Sequence, residues 1–419
     1  MSTPLAAWTV MVYLAGDNNL DAAGVDDLLE MKVVGSTPEV NVVAQFDRQS
    51  SVLQTRRFYL RQGGDLDADV VAELGETNTG DPAVLADFAS WAITTYPAQR
   101  YMLVIWNHGS GWDDSDIYAA ARKEANVDIV HRGMTVAPAD NVAQGTVALQ
   151  QLRRITSGRK RRALFRSTIL EAIRTRAIAF DDAAQDFLDN IELKRVLASI
   201  KKMAKEKIDL LGMDACMMNM LEVGYQLRSS ASILVGSEEI EPGDGWPYDT
   251  ILAQLVKTPQ MTTAELAKLI VDQYIQSYSA GEAVTLSAVQ LSSLGDLLTE
   301  LNKLAQALLD NRSDDALMLG LYRARQKVQS YDVADYVDLA DLCQRIKQQI
   351  ANQPVQAACE GVLRAVQTTV LTSAFNAKQM RGSHGISIYY PQRELSPLYN
   401  RLDFAKKSKW DEFLKAILA

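Results

Sequence analysis

Two short apolar runs, Tyr101 to Trp106 and Ile208 to Met213, each break off into a turn of small and polar residues. Runs of this length with turn residues at their ends suit strands buried on both faces of a parallel sheet. The turns are as informative as the runs. The first run leads into Trp106-Asn107-His108-Gly109-Ser110-Gly111-Trp112, the second into Met213-Asp214-Ala215-Cys216-Met217-Met218. Ligands of open parallel sheets gather outside the carboxyl ends of the strands, so a histidine at one end and a thiol at the next can meet in space. A free thiol is mostly protonated at neutral pH, and a neighbouring imidazole raises its reactive thiolate fraction.

Strand-like and helix-like segments alternate along the chain as in a doubly wound α/β domain. Strands are expected at Thr9 to Ala15, Val40 to Asp47, Tyr101 to Asn107, Ile208 to Met213, Ser232 to Gly236 and Val284 to Leu291. Helical patterns fall at Leu20 to Val33, Pro82 to Thr95, Ile191 to Ala204, Met220 to Arg228 and Thr263 to Ser279. From Ser292 to about Gly382 the pattern is mostly helical, with one late strand at Ile386 to Tyr390. This divides the chain into a catalytic-type domain over 7–291 and a mainly helical carboxy-terminal domain over 292–419.

A chain of 419 residues, 47% hydrophobic, can bury a large core, and length alone suggests two or three domains. The net charge of −9 disfavours bulk nucleic-acid binding. Three cysteines, Cys216, Cys343 and Cys359, are too few and too far apart for a zinc site or a disulfide framework. One reactive and two buried thiols is the simplest reading. No apolar stretch approaches the roughly 20 residues that span a bilayer. Residues 1–7 carry no Lys or Arg, and the apolar run from Trp8 serves better as a first core strand than as a leader, so a cytoplasmic location is expected.

Several ordered blocks together carry a family resemblance. They are Trp8-Thr9-Val10-Met11-Val12-Tyr13-Leu14-Ala15 with Asp17-Asn18-Asn19-Leu20, the stretch Asn78 to Phe88, and the His108 and Cys216 motifs. Ser237-Glu238-Glu239-Ile240-Glu241-Pro242-Gly243-Asp244-Gly245-Trp246-Pro247-Tyr248 and Gly385-Ile386-Ser387-Ile388-Tyr389-Tyr390-Pro391 complete them. The chain resembles the clostripain-type cysteine peptidases, in the caspase-like group. The resemblance implies a caspase-like, doubly wound, mostly parallel sheet flanked by helices. It implies cleavage of proteins or peptides after Arg, with Lys as second choice, by a Cys216/His108 dyad. Cys216 would form the acyl-enzyme, His108 would protonate the leaving amine, and the backbone N–H groups of Gly109 and Cys216 would hold the oxyanion. A pocket for Arg needs a carboxylate able to accept paired hydrogen bonds, a place given by the resemblance to Asp214, with Asp244 as second candidate. Calcium dependence also occurs in the family, without ligands that can be assigned here.

The departure from the family lies between the two motifs. His108 and Cys216 are 108 positions apart, against about 50 in caspase-type enzymes. Removing the unmatched residues 113–176 brings the spacing to 44. That insertion is basic from Arg153 to Arg176, with Arg159, Lys160, Arg161 and Arg162 in a polar, glycine-containing run that suits an exposed loop. In family members that cut their own chain in this interval such residues are the cleavage site. The plain alternative is a solvated basic loop on an acidic body, and a nucleic-acid contact is disfavoured because Phe165 is the one aromatic from Arg153 to Arg176.

The remaining candidates invite simpler readings. His131 falls in the insertion, His384 precedes the late strand in a turn, and Asp17, Asn18 and Asn19 suit a helix start. Asp65, Asp67 and Asp69 alternate as in a calcium loop, but Val70 stands where that loop needs Gly. Glu238 and Glu239 read as rim charges. Two competing functions remain: a catalytically silent caspase-like binding or scaffold module whose basic insertion is the contact surface, and an amidase for small amides that keeps the dyad without acidic specificity residues.

Overall fold

Five apolar runs that are buried almost throughout pair side by side and parallel, and the remaining chain is arranged to cover them. The computed structural model describes residues 5–18, 20–49, 54–112, 178–181 and 186–418. In chain order the elements begin with β1 Ala6–Gly16, α1 Asp21–Val34, β2 Val40–Arg48, β3 Thr55–Tyr59, β4 Val70–Gly75, α2 Pro82–Thr95 and β5 Ala98–Trp106. A short hairpin of β6 Ile178–Asp181 and β7 Asp186–Leu188 leads into α3 Asn190–Ala204, β8 Ile208–Asp214, α4 Leu221–Leu227 and β9 Ala231–Gly236. Then come α5 Tyr248–Lys257, α6 Thr263–Ser277, β10 Thr285–Gln290, α7 Leu294–Asp310, α8 Asp315–Lys327, β11 Tyr336–Asp338 and α9 Leu339–Gln349. The last elements are α10 Gln353–Thr369, β12 Val370–Phe375, β13 Ser387–Tyr389, α11 Asp403–Lys407 and α12 Lys409–Leu418.

The main sheet has nine strands in the order β12-β10-β9-β8-β5-β1-β2-β3-β4. Its centre, β2 to β9, is parallel, whereas β3 and β4 extend one side and β10 and β12 the other in antiparallel fashion. The order reverses around β1: the chain steps to β2 on one side, then returns to β5 on the other. This is the caspase-like doubly wound fold, with a helical carboxy-terminal region that also supplies the edge strand β12.

Alternation along each strand sorts the core into two layers. Val10, Val12, Leu14, Met102, Val104, Trp106, Leu210 and Val235 face α1, α5 and α6. Met11, Tyr13, Leu103, Ile105, Leu211, Met213 and Leu234 face α2, α3, α4 and the carboxy-terminal helices. Helices start where their sequences provide caps: Asp81 accepts the Ala83 N–H ahead of Pro82, and capping boxes open α3 at Asp189 and α6 at Thr262. Asn18 works one step earlier than a helix cap. Its side chain accepts the Leu20 N–H and donates to the Ala15 carbonyl, closing the turn out of β1, while Asn19 lies outside the described residues. No described helix is long and apolar enough to cross a membrane.

The carboxy-terminal region is fastened to the sheet through a buried carboxyl. Glu222 in α4 accepts the Tyr389 N–H at 3.0 Å and the Tyr399 O–H at 2.9 Å, and its other oxygen has no partner. Burial raises its pKa from 4.5 to about 7, so the folded chain binds this proton more tightly than the unfolded chain. The stability it contributes is whole below the unfolded pKa and is lost as pH rises through about 7. Replacing Glu222 with Gln should therefore make the variant gain on the wild type by on the order of 2–3 kcal/mol between pH 4.5 and 8. Denaturant titrations across that range check this, and a constant difference would refute it.

Candidate active site

The register between β5 and β8 pairs Trp106 with Asp214, the last residue of each strand, and the Asn107 N–H donates to the Asp214 carbonyl at 3.3 Å. His108 and Cys216 each come two residues later, so parallel pairing brings them out at one level. Both line a single cleft, together with Leu20, Trp106, Asp214, Glu241 and Gly245.

Each side of the cleft is held by backbone polar groups. The Asn107 side chain donates to the Ala15 carbonyl of β1 and accepts the His108 N–H, which ties the histidine loop to the strand at the switch point. Gly109 comes next because nothing larger fits: a Cβ there would lie 2.5 Å from the Cys216 carbonyl oxygen and 3.0 Å from the Ala215 Cβ. Met217, just after the cysteine, has φ of 59°, a left-handed conformation that a non-glycine residue holds only when its surroundings enforce it. The enforcement is visible, since its N–H donates to the Glu239 carbonyl at 3.2 Å.

The Cys216 thiol is shielded and tethered. Sγ accepts the Glu241 N–H at 3.3 Å and lies 3.8 Å from the Glu241 carbonyl, which accepts the S–H. Burial pushes its pKa up to about 11, with Glu239 and Asp332 adding repulsion and the Glu241 and Gly109 N–H groups opposing. Beside it, Asp214 Oδ2 accepts the Tyr248 O–H at 2.8 Å and the Trp246 N–H at 3.4 Å. Burial raises Asp214 to about 6 in spite of those bonds.

The other expected residues fall elsewhere or in other roles. Asp244 sits exposed on the loop after β9, outside the cleft lining. The same loop instead directs Glu241 inward, a residue the sequence reading passed over although it stood in the Glu241-Pro242-Gly243-Asp244 block. Glu238 and Glu239 are buried rather than on the rim: Glu238 accepts the Gly385 N–H, and Glu239 accepts the N–H groups of Ile240 and Asp332. His384 fixes the turn before β13, its Nδ1 3.0 Å from Asp338 Oδ1 and 2.7 Å from the Gly382 carbonyl. Arg159, Lys160, Arg161, Arg162 and His131 lie outside the described residues. Among the described residues no three His, Cys, Asp or Glu side chains are grouped in a way that would hold a metal ion, so no calcium ligands are assigned. The alternating acids are occupied, Asp69 buried against Lys32 and Arg61, and Asp67 paired with Arg56.

Residues 12–131 and 167–416 match the clostripain family. Clostripain of Hathewaya histolytica is 26% identical over 275 residues, 59% of this chain. The match spans 42% of that protein's own length. A secreted C11 cysteine protease from Bacteroides thetaiotaomicron, solved with an irreversible peptide inhibitor, covers 97% of this chain and 100% of its own at 20% identity, with a TM-score of 0.65. An inactive zymogen C11 protease from Parabacteroides distasonis covers 96% and 98% at 20% identity, with a TM-score of 0.64. The cytoplasmic location expected from the sequence is overturned here, because a protein of the same fold is secreted and the lack of a leader-like run was its only ground.

A thiol that burial holds protonated to about pH 11 should be alkylated slowly by iodoacetamide, a neutral reagent. The rate at Cys216 in the resting protein, read by peptide mass, is expected to climb through pH 9 without a plateau. A plateau beginning near pH 6 would contradict this state of the thiol.

Proposed function

The chain belongs to the clostripain family, and from that premise we propose that it is a cysteine endopeptidase that cuts after Arg, and less readily after Lys. The observation that carries the reading is that one cleft is lined by His108, Cys216 and the buried carboxylate of Asp214. A nucleophile, a proton carrier and a receiver for a basic side chain are the three parts such a reaction requires.

In this reading the substrate's basic side chain enters toward Asp214 and its scissile carbonyl comes to rest over Cys216. The resting thiol is poorly ionised, so His108 takes its proton as Sγ attacks the carbonyl carbon. The N–H groups of Gly109 and Cys216 receive the oxyanion, a contribution of about 3 kcal/mol per donor in comparable sites. The C–N bond then breaks as His108 returns the proton to the leaving amine. Water, deprotonated by His108, attacks the thioester; the acid product leaves and the thiol is restored. The closeness of Gly109 to the Cys216 carbonyl supports this assignment, because a side chain there would push the two loops apart.

We also propose that the basic run within residues 153–176 is cut by the same site during maturation. The inactive zymogen known for the Parabacteroides distasonis protease of this fold is in keeping with that proposal.

The test compares wild type with Cys216→Ala on a fluorogenic peptide ending in Arg, with intact mass and peptide mapping of each protein. Turnover by the wild type and a loss of at least about 10⁴-fold in the variant are expected. The wild type should also become two fragments joined at a basic residue between Arg153 and Arg176, while the variant stays whole. Turnover by an uncut chain removes the maturation step alone. An inert wild type that an Arg-directed electrophile does not label removes the peptidase and leaves the binding module.

A further inference from the structure

Glu241 is the most anomalous charged residue in the described chain. It is 6% exposed, it lines the cleft that holds His108 and Cys216, and neither of its carboxylate oxygens accepts a well-formed hydrogen bond. Asp214 and the Trp246 indole stand near enough to act on its proton, yet the indole N–H is itself without a partner. Asp27, reaching in from α1 and also buried, closes the group: a Cβ built on Gly245 would lie 3.4 Å from Asp214 Oδ2 and 3.6 Å from Asp27 Oδ2. No Lys or Arg is among the main influences on any of these three carboxyls.

Three carboxyls packed together and shielded from water have two ways to exist, protonated or paired with a cation. In the resting protein burial raises the proton affinity of all three; repulsion from Asp214 adds to it at Asp27 and Glu241, whereas hydrogen bonds hold Asp214 back to about 6. The arrangement is thus a site for a cation in waiting, one residue of which, Glu241, also holds the nucleophile through its backbone. Its acceptors are unevenly divided. Asp214 Oδ2 already receives the Tyr248 O–H and the Trp246 N–H, whereas neither Glu241 oxygen has a partner in good hydrogen-bond geometry beyond the proton it shares with Asp214. A guanidinium presents five N–H groups in a rigid planar fork and needs paired acceptors. An ammonium is a compact point charge, for which one carboxylate with water suffices.

We propose that Glu241 is a specificity-determining residue, the paired acceptor that makes this cleft select a guanidinium over an ammonium, with Asp214 alongside and Asp27 behind. The proposal rests on the peptidase reading for its role in catalysis, though the recognition of the cation is separable from it.

The test measures binding of the N-acetyl amides of arginine and of lysine by calorimetry, to wild type and to Glu241→Gln. In parallel, kcat/KM is measured for one peptide ending in either residue. Glu241→Gln should weaken the arginine ligand by at least about 20-fold and the lysine ligand by less than about 3-fold. The ratio of kcat/KM for Arg over Lys should fall in step, through KM. Labelling of Cys216 by iodoacetamide controls for displacement of the thiol that the Glu241 backbone holds. A ratio within twofold of wild type overturns the proposal. If the Gln variant does not fold, Glu241→Asp decides: it keeps the charge but withdraws it, so arginine alone should weaken, and unchanged selectivity again overturns the idea. Arginine binding that depends on Glu241 in a protein with no turnover would sink the peptidase reading and leave this assignment standing.

Discussion

The parallel ladder between β5 and β8 is the constraint on which the rest of the site depends. Because Trp106 faces Asp214, the loops that leave these strands depart together. A parallel sheet sends the carboxyl ends of its strands in one direction, so loops far apart in sequence share one rim. A slip of one residue would turn every side chain of β8 to the opposite layer, exchanging Leu210 with Leu211 between cores and swinging Asp214 away from Tyr248. The two cores prohibit that slip, since both faces of the strand are buried. Chemistry at the rim is therefore placed by packing well below it.

That rim gathers negative charge in a way a stable core ordinarily avoids. Asp27, Asp214, Glu241 and the Cys216 thiol are all driven toward their neutral forms by burial, and Asp214 makes ionisation of Asp27 and Glu241 harder still. One buried acid elsewhere in the fold is treated differently: Asp69 is held ionised by Lys32 and Arg61, and its pKa is lowered accordingly. Glu222, buried without a cation between Tyr389 and Tyr399, is raised like the rim acids, so what separates these acids is whether a cation is built in beside them.

The central strands were readable because they are apolar, short and closed by turn residues, and α2, α3 and α6 because Asp81, Asp189 and Thr262 cap them; α5, which starts at Tyr248 without a side-chain cap, was not expected. The antiparallel wings were legible only in part: β10 falls within the expected strand Val284 to Leu291, whereas β3, β4 and β12 were not expected. β3 contains Arg56 and Arg57, whose charge hides a strand that is half-buried by pairing with β2 and β4. β12 continues from α10 with no turn residue between Thr369 and Val370, so it reads as more helix. The dyad motifs stood out, since His-Gly and Ala-Cys each close a buried run. Glu241 did not, because one carboxylate among Glu238, Glu239, Glu241 and Asp244 looks like any other. Which of them turns inward is decided by Gly245, with its φ of 57°, and by the bond from the Gly245 N–H to the Pro242 carbonyl. Such a turn is a three-dimensional outcome that the spacing of acids does not encode.

The insertion leaves the core at Trp112 and the chain returns to the same apolar cluster at Leu188. Strands β1, β2 and β5 come before that excursion and β8, β9 and β10 after it, yet β5 and β8 are neighbours in one sheet. The polypeptide on either side is thus interlaced, with Trp112 packed at steep angles against Tyr389 and Tyr399 of the distant carboxy-terminal region. A nick in the excursion would yield two pieces that migrate as one body on a sizing column and come apart only in denaturant. Neither piece would hold half a site, for the rim exists only where the two halves interleave.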